Sequence, residues 1–259
     1  MMIRLAKSSD KFHILKFCKN TFSWGDYIKD VWDHWLSEGN LLVIEKTNPI
    51  GVCHAVFSKN QVWIEGIRIN SNFRRQNLAS NLISKVESLA IQKQIPISLM
   101  LIDTENIPSF LMAQNLGYKI NQTWKFYSLF PQENNSYEIS YEKIIPNSEL
   151  SHYVKSWRWI PLDDDTISSL NSKKCIVQSK KDKDPAIAIL GDSEHFEKTL
   201  IVTLFTGSKN NTMNIISFLQ NFGFEKKYQR LQILTKETLP KFRDLEHKIS
   251  FHLMQKLLS

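Results

Sequence analysis

The chain has 259 residues, 42% of them hydrophobic, and a formal net charge of +7 at pH 7. This composition is typical of a globular protein with one large core or two smaller ones, and it excludes a disordered chain. No apolar run is long enough to span a bilayer, and the first residues lack the apolar segment of a signal peptide, so we expect a cytoplasmic protein without a membrane partner. Three widely spaced cysteines without a metal-binding pattern are expected to be buried thiols, and we predict no metal site.

The N-terminal residues predict a strand, two helices and a pair of strands. Apolar residues at helical spacing follow a capping segment at residues 8–10, and a second helix should end near Gly39. The two strands of the pair are separated by a turn at Asn48-Pro49, so they should form a hairpin. In chain order these predicted elements cover residues 3–6, 12–17, 28–37, 41–45 and 51–57.

The most informative segment of the sequence follows this hairpin. Residues 63–69 alternate apolar and other side chains, which predicts a strand, and residues 78–90 place apolar residues at helical spacing. The turn between them contains Arg74 and Arg75 just before the helix. A helix N-terminus has unpaired N–H groups and a partial positive charge, so this turn could receive a phosphate or a diphosphate.

Three further elements are predicted after this helix. Residues 97–102 are an apolar run of strand length, and residues 107–116 predict a short helix with Gly117 as its C-cap. Residues 118–129 predict a long strand.

The segment around the basic turn resembles the acetyl-CoA signature of the GNAT acetyltransferase superfamily, V-x-P-x-x-R/Q-x-x-G-x-G/A. Ile69, Arg74 and Ala79 occupy the Val, Arg/Gln and last small positions, whereas Ser71 replaces the Pro and Asn77 replaces the first Gly. Asparagine adopts positive φ more readily than most residues, so the turn can persist.

The next segment is similar to the family's N-x-x-(small)-x-x-(large)-Y-x-x-x-G-(F/Y) pattern at Asn106, Ser109, Gly117 and Tyr118. The tyrosine that often acts as general acid in the family falls at Ala113, where it is missing. The resemblance covers about residues 1–130. It implies a fold of the α/β (α+β) class, a GNAT fold with a central mixed, mostly antiparallel sheet flanked by helices.

The resemblance also implies acetyl-CoA as cofactor and a set of residues that hold it. Ile67 and Ile69 would lie along the pantetheine arm and the acetyl oxygen, and Asn106 belongs to the same predicted site. The residues around the diphosphate would be Arg74, Arg75, Gln76, Asn77, Leu78, Ala79 and Ser80.

Glu65 is the candidate general base, because it lies in the motif strand within an otherwise apolar stretch. Partial loss of hydration raises the proton affinity of a carboxylate. The alternative is a surface or salt-bridged glutamate that pairs with Arg68. His54 is the second candidate, because imidazole titrates near neutral pH, although a lone histidine on a hairpin strand is more often structural.

The candidate acceptor site combines aromatic and acidic residues that the resemblance places over the substrate. Its predicted members are Asp26, Tyr27, Trp32 and Trp63. Helix packing would explain some of these aromatic residues equally well. The pattern W-G-D-Y-I-x-x-V-W-x-x-W is also similar to archaeal GNAT proteins and histidine N-acetyltransferases, which hints at a free amino acid or another small amine as acceptor.

The second half of the chain predicts a further α/β domain after a polar linker. We assign residues 1–130 to the GNAT domain, 131–149 to the linker and 150–259 to a smaller, degenerate GNAT-like domain. Residues 220–224 echo residues 114–118, but nothing corresponds to the basic turn, so this half should bind no acetyl-CoA. Its predicted strands are 175–177, 186–190, 199–205 and 231–234, with a helix over 215–221 stopped by Gly223 and a terminal amphipathic helix over 245–258.

Three functions remain open at this stage. The first is an acetyl-CoA-dependent N-acetyltransferase, monomeric or homodimeric, with a small primary amine as acceptor. The second is a catalytically silent CoA-binding or partner-binding module, favoured by Ala113 and Asn77. The third, a nucleic-acid binder, is suggested by the basic pI alone, and no nucleic-acid motif supports it.

Overall fold

The computed structural model describes residues 1–19, 21, 25–141 and 150–258. These residues form two compact units, which comprise Met1–Gln122 with His252–Ser259, and Thr123–Phe251. The end of the chain thus belongs to unit 1, whereas the sequence-based limits place all residues after 150 in the second domain. The remainder of the predicted linker, residues 142–149, lies outside the described residues.

Unit 1 has its strands and helices in the predicted order. Its sheet runs β1-β2-β3-β4-β5, with the last residues of the C-terminal strand β13 beside β5. Neighbours in β1–β4 are antiparallel, while β4 and β5 are parallel. The elements are β1 (Met2–Leu5), α1 (Lys11–Cys18), α2 (Ile28–Glu38), β2 (Leu41–Glu45), β3 (Pro49–Phe57), β4 (Val62–Ile69), α3 (Leu78–Gln92), β5 (Ile97–Asp103), α4 (Ile107–Asn115) and β6 (Lys119–Leu129), which continues into unit 2.

Helices cover both faces of this sheet. The apolar face of α3, with Leu82 and Val86, packs against Leu42 and Cys53, while α1 and α2 pack against the opposite face at Val43. Alternating strand residues therefore point into two separate cores, as the period-2 pattern requires. Burial of each large aliphatic side chain contributes about 1.5–3 kcal/mol, so this sandwich fixes the position of β3 and β4.

Strand β4 pairs with β5 only through its first three residues in the described part of the chain. Val62, Trp63 and Ile64 pair with residues 98–100, whereas β4 continues to Ile69. On its other edge β4 stays paired with β3 as far as Ile69. The two parallel strands therefore separate beyond Ile64, which opens a cleft in the middle of the sheet.

Unit 2 repeats the central arrangement of unit 1. Strands β9, β10 and β11 are antiparallel neighbours, and α6 connects β11 to the parallel strand β12, just as α3 connects β4 to β5. The unit contains β7 (His152–Lys155), β8 (Arg158–Pro161), α5 (Asp164–Ser172), β9 (Ile176–Ser179), β10 (Ala186–Asp192), β11 (Thr199–Phe205), α6 (Lys209–Glu225), β12 (Arg230–Thr235) and most of β13 (Leu245–Leu257).

The sequence did not predict β7, β8 and α5, and two elements that it did predict differ in the structure. The segment predicted as a terminal helix is the strand β13, because its apolar residues fit both a spacing of four and an alternation, and strand pairing decides between them. Helix α6 passes through Gly223, which does not stop it. A Cβ on Gly223 would lie 2.6 Å from Leu231 Cδ1, so this glycine allows close helix–strand packing.

Residues 131–141 have almost no regular structure, yet they are not a free linker. The backbone N–H of Asn134 donates to Asn221 Oδ1 at 3.1 Å, and that of Glu138 donates to Asn214 Oδ1 at 2.9 Å. Both acceptors are on α6, so this segment lies along that helix within unit 2.

Candidate active site

The centre of the site is a hydrogen-bonded pair formed by Glu65 and His54. The two residues are directly opposite each other in the β3–β4 ladder, so their side chains point to the same face. His54 Nδ1 lies 2.8 Å from Glu65 Oε1, and Nε2 lies 3.1 Å from the carbonyl oxygen of Gly39. The histidine side chain is fully buried, whereas that of Glu65 is 14% exposed. The Glu65 carboxylate can therefore contact a ligand directly, whereas His54 can act only through Glu65.

The hydrogen-bond partners of His54 fix how many protons the pair holds. Nε2 must carry a proton, because the carbonyl oxygen of Gly39 can only accept. One further proton must lie between Nδ1 and Glu65 Oε1, because two lone pairs would repel each other at this distance. Glu65 and His54 thus share one proton, and the second candidate base is the partner of the first.

Two tryptophans hold this pair in place. Trp63 Nε1 donates to Glu65 Oε2 at 3.0 Å, and the ring of Trp35 stacks on His54 with centroids 4.8 Å apart. Trp63, predicted as a substrate residue, is 3% exposed. Its indole therefore orients the glutamate, and both oxygens of the carboxylate have a hydrogen-bond partner.

Gly66 shapes the same strand and was not singled out from the sequence. Between His54 and Val52 the ladder gains an extra residue on β4, and Gly66 has a φ of +64° there. A Cβ on Gly66 would lie well within van der Waals contact of the Trp35 ring. A glycine inside a strand pattern is a known signal for a bulge, and this signal could have identified it.

Replacing Gly66 by alanine should destabilise unit 1. The new Cβ must share space with Trp35 and the backbone must keep positive φ, which together should cost about 3 kcal/mol. Gly117→Ala is the matched control, because Gly117 has φ +90° and its nearest atom would be 3.7 Å away. Denaturant titration measures both, and an equal loss in the two variants would contradict the role of the Trp35 contact.

Asp26 and Tyr27, two predicted acceptor-site residues, both interact with Arg68 of β4. Arg68 Nε donates to Asp26 Oδ2 at 2.7 Å, and the guanidinium lies 5.2 Å from the centroid of the Tyr27 ring. Arg68 therefore neutralises the Asp26 carboxylate. Burial raises the pKa of the Tyr27 hydroxyl above its usual range. Trp32 has no exposed surface and packs in the core formed by α1, α2 and the sheet.

The predicted cofactor turn has the geometry of an anion site. Asn77 adopts φ +57° directly before α3, and among the described residues no side chain caps that helix. Its first N–H groups have no acceptor within the helix, while Arg74, Arg75 and Gln76 are exposed beside them. Ile67 and Ile69 follow on the part of β4 that has separated from β5. Cleft and helix N-terminus together fit an extended ligand that ends in a diphosphate.

Asn106, Ala113 and Tyr118 all have structural roles in unit 1. Asn106 caps α4, where its side chain accepts from the Ser109 N–H at 3.2 Å. Ala113 is fully buried in the core of unit 1. The Tyr118 hydroxyl lies 2.6 Å from Ser98 Oγ, and burial raises the pKa of this phenol far above its usual range. Neither Ala113 nor Tyr118 offers a proton at the cleft.

The separated strands β4 and β5, the uncapped start of α3 and the partly exposed Glu65 are the main features of the candidate site. Residues 10–118 match the model of the acetyltransferase (GNAT) family. Residues 10–118 therefore form a domain of the GNAT acetyltransferase family, which supports acyl transfer as a general class of reaction. No curated protein has a sequence that matches the chain significantly.

Solved structures with the same fold cover nearly the whole chain. A candidate acetyltransferase from Thermoplasma acidophilum is 12% identical, with 99% of this chain and 100% of that chain covered and a TM-score of 0.65. A GCN5-related N-acetyltransferase from Sphaerobacter thermophilus is 8% identical, with 99% and 95% covered and a TM-score of 0.63. These likenesses extend over both halves of the chain and confirm the predicted GNAT fold.

The sequence predicts neither a membrane-spanning segment nor a metal site. None of the helices described is both long and apolar enough to cross a membrane. Within the same part of the chain, no group of three or more His, Cys, Asp or Glu side chains could hold a metal ion.

Proposed function

We propose that the chain transfers an acetyl group from acetyl-CoA to a primary amine of a small molecule, such as a free amino acid. The observation that supports this most directly is the position of the Glu65 carboxylate, which lies on β4 where this strand separates from β5. An amine must lose a proton before it attacks a thioester, and a carboxylate at the edge of the cleft can accept that proton.

The residues of the cleft fit acetyl-CoA. The N–H groups of Leu78, Ala79 and Ser80 would bind the diphosphate, with Arg74 and Arg75 adding charge. When bound, acetyl-CoA supplies the activated acetyl group. The backbone of β4 at Ile67 and Ile69 would orient it and donate hydrogen bonds to its carbonyl oxygen, because this part of the strand has left the ladder with β5.

The catalytically silent module remains the alternative, because Ala113 and Tyr118 provide no general acid. Incubation with acetyl-CoA and a panel of amines separates the two functions. Release of free CoA thiol together with an acetylated product, identified by mass spectrometry, is expected for the enzyme. Tight CoA binding without any thiol release across the panel would favour the silent module.

The second half differs from the first at each feature that should bind the cofactor. Strands β11 and β12 stay paired over five positions, from Thr199 to Thr203, so no cleft opens between them. Helix α6 is capped by Ser208, whose side chain accepts from the Asn211 N–H at 3.2 Å. Asp182 also accepts a hydrogen bond from Ser208, at 2.7 Å, and this carboxylate would repel a phosphate.

We therefore expect one CoA molecule per chain. Isothermal titration with CoA should give a stoichiometry close to one, and charge reversal at Arg74 and Arg75 should weaken that single site. Ser208→Ala removes the cap of α6 and so tests whether this cap alone keeps a second CoA from binding there. We expect the stoichiometry to remain unchanged in this variant. A stoichiometry of two that persists in the arginine variant would contradict this prediction.

A further inference from the structure

We infer that Arg68 is a positioning residue for the acceptor amine, because it holds Asp26 and Tyr27 at the start of α2, on the face of β4 that carries Glu65. This role rests on the proposed function, since it explains how the predicted acceptor site is kept in place next to the general base. The sequence suggested Arg68 only as a salt-bridge partner of Glu65. In the structure its guanidinium contacts both Asp26 and Tyr27.

A bulge in β4 brings Arg68 to the same face of the sheet as Glu65. In a regular strand, residues three apart point to opposite faces. Here the register shifts near Gly66, so that Glu65 is opposite His54 and Arg68 is opposite Val52. Val52 packs in the core formed with α1 and α2, so both β4 side chains point towards these helices. Their partners are two residues apart on β3, which places the two β4 positions about 7 Å apart along the strand.

Arg68 ties the beginning of α2 to this strand through Asp26. Its Nε and Nη2 donate to the two oxygens of Asp26, at 2.7 and 3.3 Å. Oδ1 of Asp26 also accepts from the backbone N–H of Ile28, the first residue of α2, at 3.2 Å. The Asp26 side chain is 2% exposed and that of Arg68 is 14% exposed, so water and salt screen this pair only weakly. The position of the helix start therefore depends on Arg68.

Tyr27 connects the same guanidinium to the Glu65–His54 pair. Its ring lies 5.2 Å from the Arg68 guanidinium, a distance at which a cation attracts the face of an aromatic ring. The Tyr27 ring also meets Trp35 edge to face, with centroids 6.0 Å apart, and Trp35 stacks on His54. Burial raises the pKa of the Tyr27 hydroxyl, and the charge of Glu65 raises it further. This phenol is therefore within electrostatic reach of the proposed base.

Loss of this tie should weaken acceptor binding without slowing the chemical step. When the start of α2 is correctly placed in only a fraction of the molecules, the affinity for the amine falls by that fraction. Bound amine still meets Glu65, so turnover at saturating amine is retained. The proposed cofactor contacts are backbone groups of β4 and of the start of α3, so the affinity for acetyl-CoA is retained as well.

Arg68→Lys tests this difference between the kinetic constants. Lysine keeps the charge but cannot donate two N–H groups to Asp26 as a fork. For the amine with the fastest turnover in the panel, we expect KM to rise about tenfold, while kcat and the KM for acetyl-CoA hardly change. Arg4→Lys is the matched control, because Arg4 forms a comparable, mostly buried two-point pair with Asp10 on β1 and outside the candidate site. An equal rise of the amine KM in this control would overturn the role of Arg68.

Hydrogen exchange gives a readout that needs neither substrate nor turnover. The backbone N–H groups of Asp30 and Val31 donate to the carbonyl oxygen of Tyr27 in the first turn of α2. We expect their exchange to become about tenfold faster or more in Arg68→Lys, because the helix start opens more often, and to stay unchanged in Arg4→Lys. Mass spectrometry of a peptide that covers residues 26–32 measures this exchange.

Added guanidinium separates positioning from a general loss of stability. In Arg68→Ala this ion can occupy the vacated space between Asp26 and Tyr27, so a concentration far below the denaturing range should restore the amine KM and slow the exchange. An unchanged amine KM in Arg68→Lys, or a defect in Arg68→Ala that guanidinium does not restore, would overturn the role of Arg68. If no amine is acetylated, the acetyltransferase proposal fails. Faster exchange confined to Arg68→Lys would then still support positioning of the helix start, and unchanged exchange would overturn it.

Discussion

Glu65→Gln is expected to lower the rate of acetyl transfer by roughly 10²-fold, the usual scale of a general-base contribution. The amide keeps the size of the side chain and can still accept from Trp63 Nε1, but it cannot take a proton from the amine. The affinity for acetyl-CoA should hardly change, because the proposed cofactor contacts are backbone groups of β4 and the N-terminus of α3. Steady-state kinetics and calorimetric titration with CoA measure the two quantities.

A separate control is needed because Glu65 also has a structural role. The variant loses its charge beside the buried His54, so its melting temperature must be compared with that of the wild type. Glu105→Gln, at an exposed position in the loop after β5, should leave rate and stability unchanged. Full turnover in Glu65→Gln would move the base to another group, and a large fall in melting temperature would mark Glu65 as a stabilising ion-pair partner.

The strands and helices of the N-terminal half were predictable because each sequence pattern that indicates them lies within a single element. The alternation of residues 63–69 and the helical spacing after Leu78 each agree with the observed β4 and α3. The left-handed conformation of Asn77 could be anticipated from its place in the family motif, since asparagine tolerates positive φ. Glu65 could also be selected from the sequence, because a carboxylate within an otherwise apolar strand is unusual.

What the sequence could not provide depends on partners that are distant along the chain. His54 and Glu65 become a pair only through the register of β3 and β4, and Asp26 is paired with Arg68 across 42 positions. Strand β13 was predicted as a helix because Leu245, Ile249 and Leu253 repeat every four residues, and its pairing with neighbouring strands decides otherwise. Periodicity describes one element at a time, whereas the site is made by contacts between elements.

The second large effect is expected at the turn before α3. Charge reversal in the double variant Arg74→Glu and Arg75→Glu should weaken CoA binding by about tenfold for each residue, because charge-assisted hydrogen bonds to phosphate would become repulsions. Both side chains are exposed, so salt should screen their contribution. Calorimetric titration at low and high ionic strength should show wild-type affinity falling with salt, and the variant changing little or in the opposite direction.

Lys85→Glu is the control that separates a local effect from a change in net charge. Lys85 is exposed on α3, seven residues and therefore about 10 Å beyond the start of the helix. At that distance, about one Debye length at 0.1 M salt, its charge should hardly affect a diphosphate at the N-terminus. Equal losses from Lys85→Glu and from the arginine variant would mean that overall charge attracts CoA. A loss confined to Arg74 and Arg75 would place the diphosphate at the N–H groups of Leu78, Ala79 and Ser80, where the helix end has no cap of its own.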